Sequence, residues 1–135
     1  MRRAGETLAV ALAVVAAGGC GAPGPREDDA VSAALAFESA LGSSHYARAC
    51  SLLAPRTRRE AAAEEDCGPA LAKQNVPVAA GGASAPVAEV YGRQAMVRLT
   101  RDTLFLSQFD TGWKVVAAGC TPRPDRPYDC RIKGG

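Results

Sequence analysis

The spacing of apolar residues changes midway along the chain. Up to about residue 74 they recur every three or four positions, and from about residue 86 they alternate with polar ones. The first spacing is typical of one face of an α-helix, and the second of one face of a β-strand. The pattern therefore predicts helices first and strands second.

The first half predicts helices over residues 30–41, 44–54 and 57–65, with a last helical turn over 70–74. Gly42 ends the first helix and Pro55 the second, because glycine and proline are the usual helix terminators. Arg56, Arg58 and Arg59 lie close together around the start of the third helix, and acidic residues follow at once, which predicts a solvated face with internal ion pairs rather than a binding patch. Proline, glycine and alanine then dominate a loop over residues 76–85.

The second half predicts an antiparallel meander, with strands over 86–91, 94–100, 103–109 and 113–118. The connections are short, as between antiparallel neighbours. Residues 119–127 hold three prolines, which argues against a central strand, and 128–133 predict a short edge strand. Helices followed by a meander give an α+β fold, with N-terminal helices packed on a curved antiparallel sheet.

The first twenty residues carry the pattern of an export signal. Arg2 and Arg3 precede an uncharged apolar run over residues 8–17, and small residues then lead to Cys20. A run of this length matches the core of a signal peptide and is too short to span a bilayer core of about 30 Å.

The ending Ala17-Gly18-Gly19-Cys20 resembles the signal of bacterial lipoproteins. The resemblance implies that the Cys20 thiol receives a lipid and that a peptidase removes residues 1–19, so the protein is held at the extracytoplasmic face of the cell membrane. Ala17 departs from the leucine that the family prefers there. Ordinary secretion with cleavage after Ala17 is an alternative, because Val15-Ala16-Ala17 also follows the small-x-small rule. An uncleaved membrane segment is a further one.

Residues 20–29 are predicted to form a lipidated tether, and residues 30–135 a single α+β domain. Glycine and proline in the tether oppose regular structure, and its charged residues keep it solvated. The length that remains suits one domain.

The chain has five cysteines, and an odd number leaves one thiol unpaired in an exported protein. Lipid on Cys20 would leave four, which allow three connectivities. Proximity in the sequence favours Cys50 with Cys67 and Cys120 with Cys130, and disulfides suit an exported protein.

Charge and composition argue against several classes of function. The chain has 16 basic and 14 acidic residues with no dense basic cluster, so no nucleic-acid partner is predicted. His45 is the single histidine and is interpreted as a residue at a helix start, since no Ser/His/Asp set accompanies it. The cysteines lack the spacing of a zinc site, and no phosphate-binding loop follows a strand. No catalytic residue, metal or cofactor is predicted.

Over residues 30–135 the chain resembles small secreted lipoproteins of high-GC bacteria that contain a nuclear transport factor 2-like (cystatin-like) roll. The segments that carry the resemblance are Asp102-Thr103-Leu104-Phe105-Leu106, Gly112-Trp113-Lys114-Val115, Ala117-Ala118-Gly119-Cys120 and Pro127-Tyr128-Asp129-Cys130. The resemblance implies helices laid across a curved sheet. The wider fold includes isomerases and dehydratases that use a pocket aspartate or an Asp–His pair. Asp102 and Asp110 lie in predicted turns and do not match those positions.

The sequence thus predicts a membrane-anchored envelope lipoprotein whose domain binds an envelope protein or a small apolar ligand. An isomerase- or dehydratase-like enzyme and a structural spacer are the alternatives. Strand alternation places Phe105 on the face opposite Leu104 and Leu106. The leucines suit the core, which leaves Phe105 as the candidate contact. The roll also predicts a concavity beside Phe105 and Trp113, with Trp113 in the core.

Overall fold

The computed structural model describes residues 24–78 and 85–134. Four helices precede five strands: α1 (Pro25–Gly42), α2 (Tyr46–Leu52), α3 (Pro55–Ala62), α4 (Cys67–Ala72), β1 (Val87–Tyr91), β2 (Gln94–Arg98), β3 (Thr103–Phe109), β4 (Gly112–Arg123) and β5 (Arg126–Lys133). The strands form one antiparallel sheet in the order β1-β2-β3-β4-β5. The predicted α+β meander is confirmed. The predicted signal peptide, Cys20 and the first part of the tether lie outside the described residues.

Helix α1 begins well before residue 30, at Pro25, with Gly24 as its N-cap. Proline suits the first helical turn, because the N–H that it lacks has no helical acceptor there and its fixed φ is already helical. Glu27 and Asp28 also favour the positive end of the helix dipole. The predicted tether over 20–29 is therefore wrong in residues 25–29, which belong to the folded domain.

The helices pack on one face of the sheet, which we call the inner face. Cross-strand partners share a face, and the register pairs Val97 with Leu104 and Leu106 with Val115. All four are fully buried with Phe37 of α1. Their sequence neighbours point to the opposite, outer face, where Met96 pairs with Phe105. The two faces follow the alternation in the sequence.

The helical layer is closed by a disulfide and by a short pairing with the sheet. Cys50 of α2 is bonded to Cys67 of α4. Leu53 then bridges Val115, and the Ala54 N–H donates to the Val115 carbonyl at 2.8 Å. This pairing lies just before the part of β4 that pairs with β5.

Strand β4 is longer than predicted and runs to Arg123 through Pro122. From Cys120 onward, β5 is the one described strand that pairs with β4. The register of this pairing shifts between Thr121 and Arg123. Proline is tolerated at such a position, since a strand with one neighbour and a bulge does not need every N–H. The prolines thus keep this segment out of the sheet centre without preventing a strand. We call residues 120–130, closed by the Cys120–Cys130 disulfide, the β4–β5 ribbon.

Gly119 marks the point at which β4 bends into the ribbon. Its φ is +64°, and a Cβ there would lie 3.1 Å from the Arg131 Cβ. A side chain at this position is disfavoured both by the left-handed backbone and by the contact.

We expect Gly119→Ala to lower the free energy of unfolding by about 2–3 kcal/mol, combining a left-handed backbone cost with the displacement of a neighbour. The matched control is Gly92→Ala: Gly92 has a φ of +56° but no atom within 4 Å of its would-be Cβ. The control should lose only the backbone part, about 1–2 kcal/mol. Urea unfolding under oxidising conditions measures both. Equal losses would show that contact with Arg131 does not constrain the bend.

Candidate functional site

Two acidic side chains are buried together beside the β2–β3 turn. Glu38 of α1 and Asp102, just before β3, are each 5% exposed, and their side chains interact. Two ionised carboxylates only accept hydrogen bonds and repel each other. Burial of the pair therefore favours a state in which one of the two carries a proton.

Asp102 also fixes the bend of β4. Its Oδ2 accepts the N–H of Gly119 and its Oδ1 accepts the N–H of Cys120, each at 3.0 Å. Burial raises the pKa of Asp102, and the hydrogen bonds from Gly119, Glu38, Cys120 and Thr103 oppose that rise. One side chain thus joins α1, the β2–β3 turn and the bent strand.

The hydrogen bonds that Asp102 accepts give the carboxyl pair a structural role. A general acid or base must reach a substrate proton directly or through one water. Both Asp102 oxygens already accept backbone N–H groups. Three surface cavities are lined by described residues, and neither Glu38 nor Asp102 is part of their linings.

Sequence reasoning missed this pair because it joins residues far apart in the chain. Glu38 occupies a position of the apolar stripe of α1, between buried Phe37 and Ala40. An acid at a core position was the available signal, since buried acids need a partner. Asp102 was expected in a turn, and its side chain points into the core instead.

The other titratable candidates are exposed. His45 is the N-cap of α2, as expected of a residue at a helix start. Asp110 lies in the β3–β4 turn. Within residues 24–78 and 85–134, no group of three or more His, Cys, Asp or Glu side chains has the arrangement of a metal site.

Phe105 lies on the outer face, opposite Leu104 and Leu106, as strand alternation predicts. Its ring meets Tyr128 of the β4–β5 ribbon edge-on, with centroids 5.2 Å apart. Both rings are half-buried. Phe105 is therefore partly covered by its own chain and partly open to solvent.

Trp113 is in the core, as predicted, and pairs with Gln108 on the inner face. The predicted concavity beside both Phe105 and Trp113 is wrong, because the two side chains lie on opposite faces. The β3–β4 pairing has a bulge between Phe105 and Leu106, and this bulge leaves the Phe105 and Trp113 side chains on opposite faces of the sheet.

A cavity of about 370 Å³ lies between the start of α3 and the β3–β4 turn, which we call the basic cavity. Its lining includes Arg58, Arg59, Lys114, Phe109 and Thr111 and contains no acidic residue. The expectation of internal ion pairs in α3 holds for Arg56 and Glu60, at 2.9 Å. Arg58 and Arg59 form no ion pair with the described carboxylates and face the cavity instead.

Glu38→Gln should change how stability depends on pH. The folded-state pKa of Asp102 is raised above 3.8, so in the parent the stabilisation from its protonation is complete below that pH and is lost as the pH rises through the folded value. In the variant, the neutral amide at position 38 removes the second buried acid, so that ionisation of Asp102 no longer places two negative charges side by side. The free energy of unfolding of the variant, minus that of the parent, should therefore be larger at pH 7 than at pH 4.

Urea unfolding at both pH values measures this difference. The control is Glu60→Gln, which removes an exposed acid from the ion pair with Arg56. A Glu38→Gln difference that is the same at pH 4 and pH 7, or that follows the control, would contradict a proton-sharing pair.

In the described residues no helix is both long and apolar enough to cross a bilayer. Comparisons with protein-family models, curated proteins and solved structures give no match to this chain.

Proposed function

We propose that this chain is a lipoprotein of the bacterial cell envelope, held at the extracytoplasmic face of the membrane by lipid on Cys20. The charged start, the apolar run and the small residues before Cys20 support the export signal. Two disulfides among the remaining four cysteines suit an oxidising compartment.

The domain is a non-enzymatic binding module on a nuclear transport factor 2-like roll. Helix α1 lying across the inner face of an antiparallel meander supports the roll. The observation that carries the binding role is the outer face, where Phe105, Met96 and Tyr128 are each partly exposed. Apolar surface that the fold leaves open often marks an interaction site. The occupant on this proposal is an apolar side chain of an envelope protein or a small apolar ligand.

An isomerase- or dehydratase-like enzyme is the second candidate, and the buried carboxyl pair is the observation that favours it. A protonated carboxyl group in a low-dielectric site is a common general acid. Both Asp102 carboxyl oxygens already accept backbone N–H groups, from Gly119 and Cys120. We therefore prefer a binding role to an enzymatic one.

The anchor predicts a clear result for Cys20→Ser. We expect the parent in the membrane fraction of expressing cells and the variant in the soluble extracytoplasmic fraction, because two acyl chains hold a protein firmly where one does not. Cell fractionation with immunoblotting measures this. A variant that stays with the membrane after normal signal removal would exclude the lipid anchor, and a soluble parent would favour ordinary secretion.

If Phe105 on the outer face contacts a partner, the Phe105→Ala variant should fold normally and no longer bind that partner. Cross-linked envelopes are solubilised, and the proteins that co-purify with tagged parent and variant are compared quantitatively. The control is Leu35→Ala, which removes an apolar side chain, 41% exposed, from α1. Trp113→Ala, by contrast, should unfold the domain, since truncating a buried Trp costs about 3–5 kcal/mol. A Phe105→Ala variant that folds and still co-purifies with every partner of the parent would contradict the proposal that the outer face is the binding surface.

A further inference from the structure

The start of α1 is fixed beside two strand turns. The Arg26 guanidinium donates to the Gly92 carbonyl and, at 3.0 Å, to Gln108 Oε1. It also lies over the Trp113 ring, 5.7 Å from the centroid. Gly92 is in the β1–β2 turn, while Gln108 and Trp113 flank the β3–β4 turn. We call these two turns and the first turn of α1 the hairpin end.

Two aromatic side chains are exposed at the hairpin end. Tyr91 is 69% exposed and Phe109 36%. The register runs from Tyr91 through Gln94 and Ser107 to Lys114, so these residues form one row across the outer face. Phe109 lies one pair beyond that row, opposite Gly112. The most exposed aromatic ring of the described residues is therefore at this end.

The basic cavity opens at the same end. Phe109 and Thr111 form its wall on the sheet side, and Arg58, Arg59 and Lys114 supply its charge. Lys114 Nζ is held by the Ser51 carbonyl at 3.0 Å. Acids at the hairpin end, among them Glu27, Asp28 and Asp110, lie outside this lining. The cavity itself is therefore cationic.

The proposed anchor lies close to the hairpin end. Three residues lie between Cys20 and Gly24, and a chain spans at most about 3.6 Å per residue, so Cys20 lies within about 15 Å of Gly24, the N-cap of α1. Helix α1 has 18 residues and is about 27 Å long at 1.5 Å per residue. So short a connection favours the hairpin end as the part of the domain that rests on the headgroups.

We propose that the hairpin end is seated on the membrane surface, with the basic cavity binding the phosphate of an anionic phospholipid headgroup. Arginine forks match phosphate oxygens. Tyrosine and phenylalanine side chains suit the interfacial layer beside them. The occupant is a lipid, because lipid is what the anchored chain meets at this distance and its charge complements the cavity. The inference rests on the proposed anchor at Cys20.

Hydrogen–deuterium exchange on the full chain tests this seating. Protein purified from membranes is reconstituted in vesicles of phosphatidylglycerol with phosphatidylcholine, or of phosphatidylcholine alone. The expected result is slower exchange in the anionic vesicles at the hairpin end, in peptides covering 54–60, 91–94 and 109–114, and unchanged exchange in the β4–β5 ribbon. Arg58→Glu with Arg59→Glu should lose that difference between lipids. Arg123→Glu with Arg126→Glu, a matched pair on the ribbon, should keep it.

Other outcomes overturn the seating in distinguishable ways. A chain that floats with the vesicles and exchanges equally at both ends keeps the anchor and refutes the seating. A chain that does not float refutes the anchor, and the seating falls with it. Equal protection by inorganic phosphate over neutral vesicles would make the cavity a free-anion site. Protection seen only in native membranes would assign this end to a protein partner.

Discussion

A single buried carboxylate ties together the parts of this domain that the sequence keeps far apart. Asp102 accepts two backbone N–H groups at the bend of β4 and interacts with the buried carboxyl group of Glu38 of α1. An asparagine could not replace it, because an amide has one acceptor oxygen and would face the second N–H with its own donors. Each buried donor left without a partner costs about 1–3 kcal/mol, which is a large share of the stability of a small domain. The bend, the turn and the helix therefore depend on this interaction together.

The bend decides what the outer face presents. Because β4 turns at Gly119, the β4–β5 ribbon brings Tyr128 against Phe105, and the Cys120–Cys130 disulfide holds the two strands of the ribbon together. Helix α1 connects this region with the opposite end of the molecule, since Arg26 contacts the hairpin turns and Glu38 contacts Asp102. Phe105 lies only four residues from Phe109 along β3, about 13 Å at 3.3 Å per residue, so the proposed partner surface and the proposed membrane contact are neighbours on the outer face.

Local patterns predicted much of the fold, and non-local contacts account for what they missed. Strand β3 has the predicted bounds, because a turn signal lies on each side of it, and alternation correctly placed Phe105 opposite the buried leucines. Both disulfides follow from proximity. Pro25 was interpreted as a breaker because a proline before a helix and one at its first turn look alike in sequence. The Glu38–Asp102 pair and the basic cavity join segments that are about fifty or more residues apart. The spacing of apolar and polar residues along the sequence does not indicate contacts between such distant segments.

The two disulfides each lie within one layer: Cys50–Cys67 joins two helices, and Cys120–Cys130 joins two adjacent strands. Neither bridge crosses from the helices to the sheet, so in the described residues the layers are held to each other by non-covalent contacts, among them packing, hydrogen bonds and the Arg26–Trp113 contact. A chain that enters an oxidising compartment with its N-terminus first can close the helical bridge while the strands are still being delivered. The later bridge needs no rearrangement of the earlier one. If the chain is exported as proposed, oxidation can therefore follow the order of synthesis, because each bridge joins cysteines of one layer.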